Sequence, residues 1–318
     1  MHAITRPVAA LPAALAPTVD AARGYVAASR SPATRRAYAT DWQAFAAWCA
    51  TAGVDPLPAS PAIVALFLAA EAQAGRKPST VARRSAAIRY AHKLAGHPVP
   101  TTEVAVTDTL AGIRRSHGTK QRQVAPATAD RMAAMLDACG TDLRGLRDRA
   151  LLALGFGGAF RRSELAVLRV DDVQETPEGF RVTIARSKTD QEGAGQEIAV
   201  LDGPRLRVKA ALAAWRAAAG IESGYLFRTV AKGSRVQARH ITDRSVANII
   251  KQRAAAAGLD PVLFSGHSLR AGFLTSAATS GAGLFAMMAV SRHTSVETVR
   301  KYVRRAEAFK DHAGAGFM

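Results

Sequence analysis

The periodicity of apolar residues changes once along this chain, and that change sets its architecture. From Thr18 to about His117 the apolar positions recur only at helical spacing. Tyr38, Trp42, Phe45 and Trp48 follow one another at 4, 3 and 3 residues, the stripe that an α-helix buries. Ser31-Pro32-Ala33-Thr34 supplies the capping start of that helix. A second helix is expected from Ile63 to Ala74, stopped by Gly75. A third follows Pro78-Ser79-Thr80, with Val81, Ile88 and Leu94 inward and Arg83, Arg84, Arg89 and Lys93 outward, and a fourth spans about Glu103 to Arg115. Next, His117-Gly118-Thr119-Lys120-Gln121-Arg122-Gln123 is polar, basic and aperiodic, as suits a linker crossing a nucleic-acid backbone. Beyond Ala125 the grammar is mixed. Helices at about 127–139 and 143–158 precede the alternating run Phe180-Arg181-Val182-Thr183-Ile184, which reads as a strand, with Glu197-Ile198-Ala199-Val200 as its partner. Ser187 to Gly195 is the expected hairpin loop. From Pro204 the pattern is mostly helical, closing with a short amphipathic segment from Ala306. The expected organisation is a helical domain over 18–117, a linker over 118–125 and a larger domain over 126–318. The expected class is mainly α with a small β-sheet (α+β).

Charge narrows the partner. The chain has 318 residues, 43 Lys+Arg against 25 Asp+Glu, a net charge of +18, and 48% hydrophobic residues, too many for intrinsic disorder. Residues 1–125 carry 15 basic and 6 acidic side chains and residues 126–318 carry 28 and 19, so each part nets +9. Both parts being basic suggests a polyanion held from two sides, since each cation placed on a phosphate releases condensed counterions. Cys49 and Cys139 belong to no disulfide framework and to no zinc-spaced cluster, which leaves them as small core residues in a reducing compartment. The longest apolar stretches, Ala62 to Ala70 and Ala150 to Phe160, are shorter than the ~20 residues of a membrane helix. The N-terminus lacks the pattern of a secretory signal, so a cytoplasmic setting with no membrane partner is expected, at the nucleoid if the cell is bacterial.

The candidates for chemistry are spaced cations around one possible nucleophile. Arg161 and Glu164 are three apart, as are His267 and Arg270, a spacing that puts each pair on one face if the segment is helical. If the two faces meet, a histidine and two arginines surround one point, a receptor suited to a phosphodiester whose charge grows in the transition state. Arg292-His293 is followed by Thr298-Val299-Arg300-Lys301-Tyr302, one of only five tyrosines in the chain. A phenol with a reference pKa of about 10 needs nearby cations to stabilise its oxyanion, which makes Tyr302 the nucleophile candidate. Lys188, at the expected hairpin tip, is a flexible donor for a leaving alkoxide. Arg35, Arg36, Arg83 and Arg84 in the small domain are candidates for DNA contact, and Arg244 is the candidate base reader in the large one. Taken singly these are ordinary features, since an Arg-x-x-Glu pair is usually a surface ion pair. Their order is the signal.

The series Arg161, Lys188, His267-x-x-Arg270, His293 and Tyr302, with nine residues from His293 to Tyr302, resembles the tyrosine recombinase (phage integrase) family. Phe160-Arg161-Arg162-Ser163-Glu164-Leu165 is similar to its first-arginine box, Ala185-Arg186-Ser187-Lys188-Thr189 to its hairpin lysine, and Ser265-Gly266-His267-Ser268-Leu269-Arg270 to its His-x-x-Arg box. The layout is similar to Cre-like, two-domain site-specific recombinases. One position departs from the pattern: Arg292 stands where glycine is common, which bears on the local backbone. The resemblance implies a core-binding domain and a catalytic domain acting on double-stranded DNA with an inverted-repeat site, as a homotetramer on two duplexes assembled through monomers or dimers. It implies that Tyr302 attacks the scissile phosphate to give a 3′-phosphotyrosyl intermediate. Arg161, Arg270 and His293 would hold the nonbridging oxygens, Lys188 would protonate the 5′-oxygen, His267 would assist at the nucleophile, and Glu164 would orient its neighbours. No cofactor, metal or ATP is expected, because the intermediate conserves the phosphodiester energy. The chemistry alone leaves two further readings open: relaxation of DNA in the manner of a type IB topoisomerase, and a catalytically silent DNA-binding protein of the same fold. A metal-dependent nuclease lacks a carboxylate ligand cluster in the sequence.

Overall fold

Ser31-Pro32 and Ser60-Pro61 each place a hydroxyl acceptor ahead of a proline, a pairing that starts helices because proline has no first-turn N–H to satisfy. The Ser31 hydroxyl accepts from the Thr34 amide at 3.2 Å and the Ser60 hydroxyl from the Ile63 amide at 3.3 Å. The computed structural model describes residues 15–118, 124–184 and 195–306. The chain divides into two compact units, residues 1–122 and 123–318. Thr119 to Gln123 of the expected linker, the hairpin loop with Lys188, and the tail beyond Ala306 lie outside the described residues.

The first unit is helical throughout its described residues: α1 (Ala16–Ala28), α2 (Pro32–Ala52), α3 (Pro61–Gln73), α4 (Pro78–Leu94) and α5 (Val104–His117). Packing of α2 on α4 and of α3 on α5 buries Phe45, Val64, Phe67, Leu68, Val81 and Ile88 completely, each contributing on the order of 2 kcal/mol. Trp42 and Trp48 flank this core half-buried, and Phe45 and Phe67 meet with ring centroids 5.0 Å apart.

Two expectations for α4 need correction. Leu94 is exposed rather than inward, because it is the last residue of the helix and its turn runs beyond the core. Arg84 is turned inward rather than outward. Its side chain is 13% exposed, with Nη1 at 2.5 Å from Glu71 Oε2 of α3 and Nε at 3.8 Å from Asp41 Oδ1 of α2. Removing Arg84 takes the short partner from Glu71, whose other cation, Arg76, stands 3.7 Å away, while Asp41 keeps Arg83. Arg84→Ala is therefore expected to destabilise the first unit by roughly 2 kcal/mol in a urea titration.

In the second unit α6 (Ala129–Asp137), α7 (Leu143–Gly157) and α8 (Arg162–Val167) precede a three-stranded antiparallel sheet. Its strands β1 (Val173–Thr176), β2 (Gly179–Ile184) and β3 (Gln196–Leu201) lie in sequence order, with Phe180 opposite Val200 and Val182 opposite Ile198. These residues and Ile184 are buried while Arg181 and Thr183 face out, the alternation seen in the sequence. Next come α9 (Val208–Ala219), β4 (Arg228–Val230), β5 (Val236–His240), α10 (Asp243–Ala256), α11 (Ser268–Thr279), α12 (Leu284–Ser291) and α13 (Val296–Ala306). The β4–β5 ribbon falls in a stretch that reads as mostly helical; strands of three and five residues are too short for their alternation to stand out. Strand β1 is likewise absent from the sequence reading. The chain is mainly helical with small sheets.

Helix α7 is the centre of the second core, with Leu151, Leu152 and Leu154 fully buried. A Cβ on its Gly155 would lie 2.7 Å from Leu165 and 2.9 Å from Leu269. The missing side chain lets α8 and α11 close on α7 together, and these two helices bring Arg161 and Arg270 to one place. Both cysteines are buried and free. No described helix is long and apolar enough to cross a membrane.

Candidate active site

The site is built around a strained turn. Helix α7 ends at Gly157, and Ala159 follows with φ 45°, a left-handed conformation that disfavours a residue with a Cβ. That conformation turns the Ala159 carbonyl toward two guanidinium groups: Arg270 Nη1 donates to it at 2.9 Å and Arg292 Nη2 at 3.5 Å. Arg161 then stands immediately before α8. One turn into that helix, the Glu164 carboxylate accepts from the Arg161 backbone N–H through Oε2 at 2.8 Å and from Arg161 Nη1 through Oε1 at 2.8 Å. A single carboxylate thus fixes both the turn and the arginine that leaves it. Glu164 Oε2 also accepts from Arg292 Nη2 at 2.8 Å.

The second half of the site comes from the C-terminal helices. Arg270 projects from α11 and is buried, while His267, just before the same helix, is exposed. Helix α12 ends in a left-handed Arg292, which swings the chain so that His293 faces Arg270. The His293 ring is held by its Nδ1 edge, 2.9 Å from Ser291 Oγ and 3.3 Å from Arg270 Nη2, and the Ser291 hydroxyl in turn reaches the Met287 carbonyl at 2.7 Å. Nε2 is left as the ring's other hydrogen-bonding atom. Tyr302 lies on α13, which packs on α11 and α12, and its ring is half-buried against the cluster of Leu274, Ala278, Met287 and Val299.

Electrostatically the cluster is short of negative charge. Arg161, Arg270 and Arg292 share one carboxylate. Burial, reinforced by the charges of Arg161 and Arg292, pulls the Arg270 guanidinium down to about 9. Burial, with the charges of Arg270, Arg161, His267 and Arg292, brings His293 down to about 4, so its ring is neutral at pH 7. An anion placed among these groups would offset the mutual repulsion of the cations. Arg270 acts on Tyr302 as a nearby cation, but burial acts the other way. The phenol is raised above its usual value, because burial outweighs the opposing charge of Arg270. Among the described residues no three His, Cys, Asp or Glu side chains gather in a way that could hold a metal ion.

The structure thus brings together Arg161, Glu164, His267, Arg270, His293 and Tyr302. Ala159 and Ser291 are not among the residues that the sequence singles out, and Arg292 stands out there only as a departure from glycine. Of the DNA-contact candidates, Arg35, Arg36 and Arg244 are exposed, while Arg83 is half-exposed and holds Asp41 at 2.7 and 3.1 Å. Arg84 is the inward member described above.

Two neutral histidines give the fold an acid limit. In the first unit the buried His92 accepts from the Ala59 amide through Nε2 at 3.0 Å and reaches the Ile88 carbonyl through Nδ1 at 2.9 Å, an arrangement only the neutral ring can make. Its pKa, like that of His293, is lowered chiefly by burial. A depressed folded-state pKa means stability that is present above about 6.5 and is lost as pH falls through the folded value. For His293 that window runs down to about 4, and its full loss is at most about 3 kcal/mol. Thermal melts between pH 8 and 4 are expected to lose Tm below pH 6.5, with His92→Gln flattening the part of the loss that belongs to the first unit.

Residues 127–308 match the Phage integrase family, and residues 25–97 match the Phage integrase, N-terminal SAM-like domain. The chain is similar to the integrase/recombinase xerD homolog of Selenomonas ruminantium, at 39% identity over 291 residues that cover 90% of this chain and 85% of the relative. It is similar to the recombinase cre of Escherichia phage P1 at 24% identity, covering 84% and 82% of the two chains. Its fold is similar to that of the XerH site-specific recombinase in a post-cleavage complex with palindromic difH substrate, with a TM-score of 0.68 at 16% identity over 89% of this chain and 80% of that one. A lambda integrase fragment bound as a dimer to a core site gives a TM-score of 0.61 at 16% identity, over 90% and 93%. A strained carbonyl and one carboxylate gathering arginines beside a neutral histidine and a tyrosine, on a chain that matches these proteins along nearly its whole length, place it in the phage integrase family of tyrosine recombinases.

Proposed function

We propose that the protein cuts and rejoins double-stranded DNA at a specific site through Tyr302. The observation that carries this reading is the arginine cluster held by Ala159 and Glu164 next to His293, short of negative charge and packed against the helix that bears Tyr302. The Tyr302 oxygen attacks the scissile phosphorus, a Tyr302–O–P bond forms and the P–O5′ bond breaks. The phenol proton passes to His267 or through it to solvent, and Lys188 delivers a proton to the departing 5′-oxygen. Arg161, Arg270 and His293 hold the nonbridging oxygens, on which negative charge grows. Because the phosphotyrosine keeps the energy of the phosphodiester, a 5′-hydroxyl from a partner duplex reverses the step without ATP and so exchanges strands. The relatives reported above are recombinases and integrases, which gives no support to topoisomerase-like relaxation or to a silent DNA-binding role.

Both units are basic, and in this reading both grip the duplex. Arg35, Arg36 and Arg83 do so from the first unit and Arg244 from the start of α10, while Arg84 serves the fold. Arg36→Ala is expected to leave the melting temperature unchanged and to lower the slope of log K against log salt by about one. An inverted-repeat site bound by a homotetramer on two duplexes, in the cytoplasm, completes the proposal. A nicked suicide duplex carrying the site, incubated in EDTA, is expected to accumulate a covalent adduct. Lys188→Ala is expected to slow that reaction by roughly 10²-fold or more, and a 5′-bridging phosphorothiolate, whose leaving group needs no proton, is expected to restore it. A Lys188→Ala variant equally slow on both substrates removes the general-acid role from that residue.

A further inference from the structure

The backbone at position 292 would accept glycine without strain, lying at φ 55° and ψ 41°. An arginine occupies it instead, with a side chain 3% exposed and with Nε and Nη1 lacking any hydrogen-bond partner. A buried, incompletely satisfied cation in a left-handed conformation is unfavourable on three counts. Its compensations are specific: Nη2 bonds Glu164 Oε2 at 2.8 Å, and the guanidinium lies 5.4 Å over the Phe160 ring. Both partners flank Arg161 in the sequence, and Glu164 is the carboxylate that also binds Arg161.

We propose that Arg292 is a positioning residue that sets the charge of the phosphate receptor, offsetting Glu164 so that the cluster around Arg161 and Arg270 keeps a net positive charge for the transition state. The proposal rests on the recombinase reading of this site. Without Arg292, Glu164 is paired with Arg161 alone and cancels one of the two arginines that face the phosphate. With it, the group of Arg161, Arg270, Arg292 and Glu164 carries two net positive charges. A resting phosphodiester carries one negative charge and the pentacoordinate transition state two, so the added charge acts on the chemical step more than on DNA binding. The second arginine on Glu164 also limits the ways that carboxylate can turn, and so fixes the Arg161 guanidinium that it orients.

The test compares wild type, Arg292→Gly and Arg292→Lys in single-turnover adduct formation at saturating protein, with DNA affinity and thermal unfolding measured alongside. Each is run on a normal scissile phosphate and on one in which a neutral methyl replaces a nonbridging oxygen. On the normal phosphate Arg292→Gly is expected to be slower by about 10- to 100-fold, with DNA affinity within about twofold of wild type, and Arg292→Lys to fall between. On the methylphosphonate, where one less charge develops, the deficit is expected to shrink to about threefold or less. A purely structural role gives the same deficit on both substrates. That result, or a wild-type rate for Arg292→Gly on the normal phosphate, overturns the proposal while leaving the recombinase reading intact. Absence of any adduct with wild type on the normal phosphate overturns the recombinase reading itself. If Arg292→Gly does not fold, the comparison of the two substrates is made with Arg292→Lys and decides in the same way.

Discussion

Tyr302→Phe is expected to abolish covalent capture of DNA, with a loss of roughly 10⁴-fold or more in cleavage, the scale seen when a nucleophile is removed. The substitution deletes one oxygen and leaves the ring that packs on Leu274, Met287 and Val299. Melting temperature and DNA affinity are therefore expected to stay at the wild-type level. The contrast with other losses of function is informative, because burial raises the pKa of the phenol and Arg270 offsets this only in part. Its activation has to come from the complex, through proton removal and the field of the assembled cations. The rate with wild type is accordingly expected to rise with pH above neutrality, and residual Tyr302→Phe signal is expected to be flat.

Arg270→Met carries the second large effect, and it separates function from stability. Removing a preorganised donor aimed at developing charge costs about 10²–10³-fold in rate. Stability is expected to move the other way. At any pH below about 9 Arg270 is charged, and its burial beside Arg161 and Arg292 costs the fold more than its bond to the Ala159 carbonyl returns, a bond worth about 1 kcal/mol. A methionine of similar length fills the same space without charge. Differential scanning calorimetry is expected to give a Tm equal to or above wild type, together with an adduct rate reduced by about 10³-fold. A clear fall in Tm instead would place Arg270 among the residues that hold the fold together.

The sequence exposed the parts of the site whose logic is local. Arg161 with Glu164 and His267 with Arg270 stood out by their three-residue spacing, although the shared helical face does not form: Arg161 and His267 are the residues just before α8 and α11, and His267 is exposed while Arg270 is buried. His293 and Tyr302 stood out by their interval and order. The helices of the first unit and the β2–β3 pair were legible for a similar reason, since their apolar periods are long enough to count. What stayed hidden depends on distant partners or on backbone angles. Nothing near Arg84 in the chain announces that Asp41 and Glu71, on two other helices, draw it inward. Arg292 meets its carboxylate across 128 residues. The Ala159 turn, with its positive φ, looks in sequence like any small residue after a glycine pair, although Gly157-Gly158 was a signal that the backbone there is unusual. The environment of Tyr302 was hidden for the same reason: the sequence places cations near it, and only the packing reveals that burial outweighs the pull of Arg270.

The central claim, that one buried cationic receptor directs Tyr302 to a DNA phosphate, is tested most directly by mapping the trapped adduct. Wild-type protein is incubated in EDTA with a nicked suicide duplex, the complex is digested with protease and nuclease, and the modified peptide is sequenced by mass spectrometry. The expected product is a single nucleotide attached through a 3′-phosphate to Tyr302, formed at full rate without divalent metal and stable to high salt once formed. Attachment to any other residue, attachment through a 5′-phosphate, or cleavage that appears only when metal is restored would contradict it.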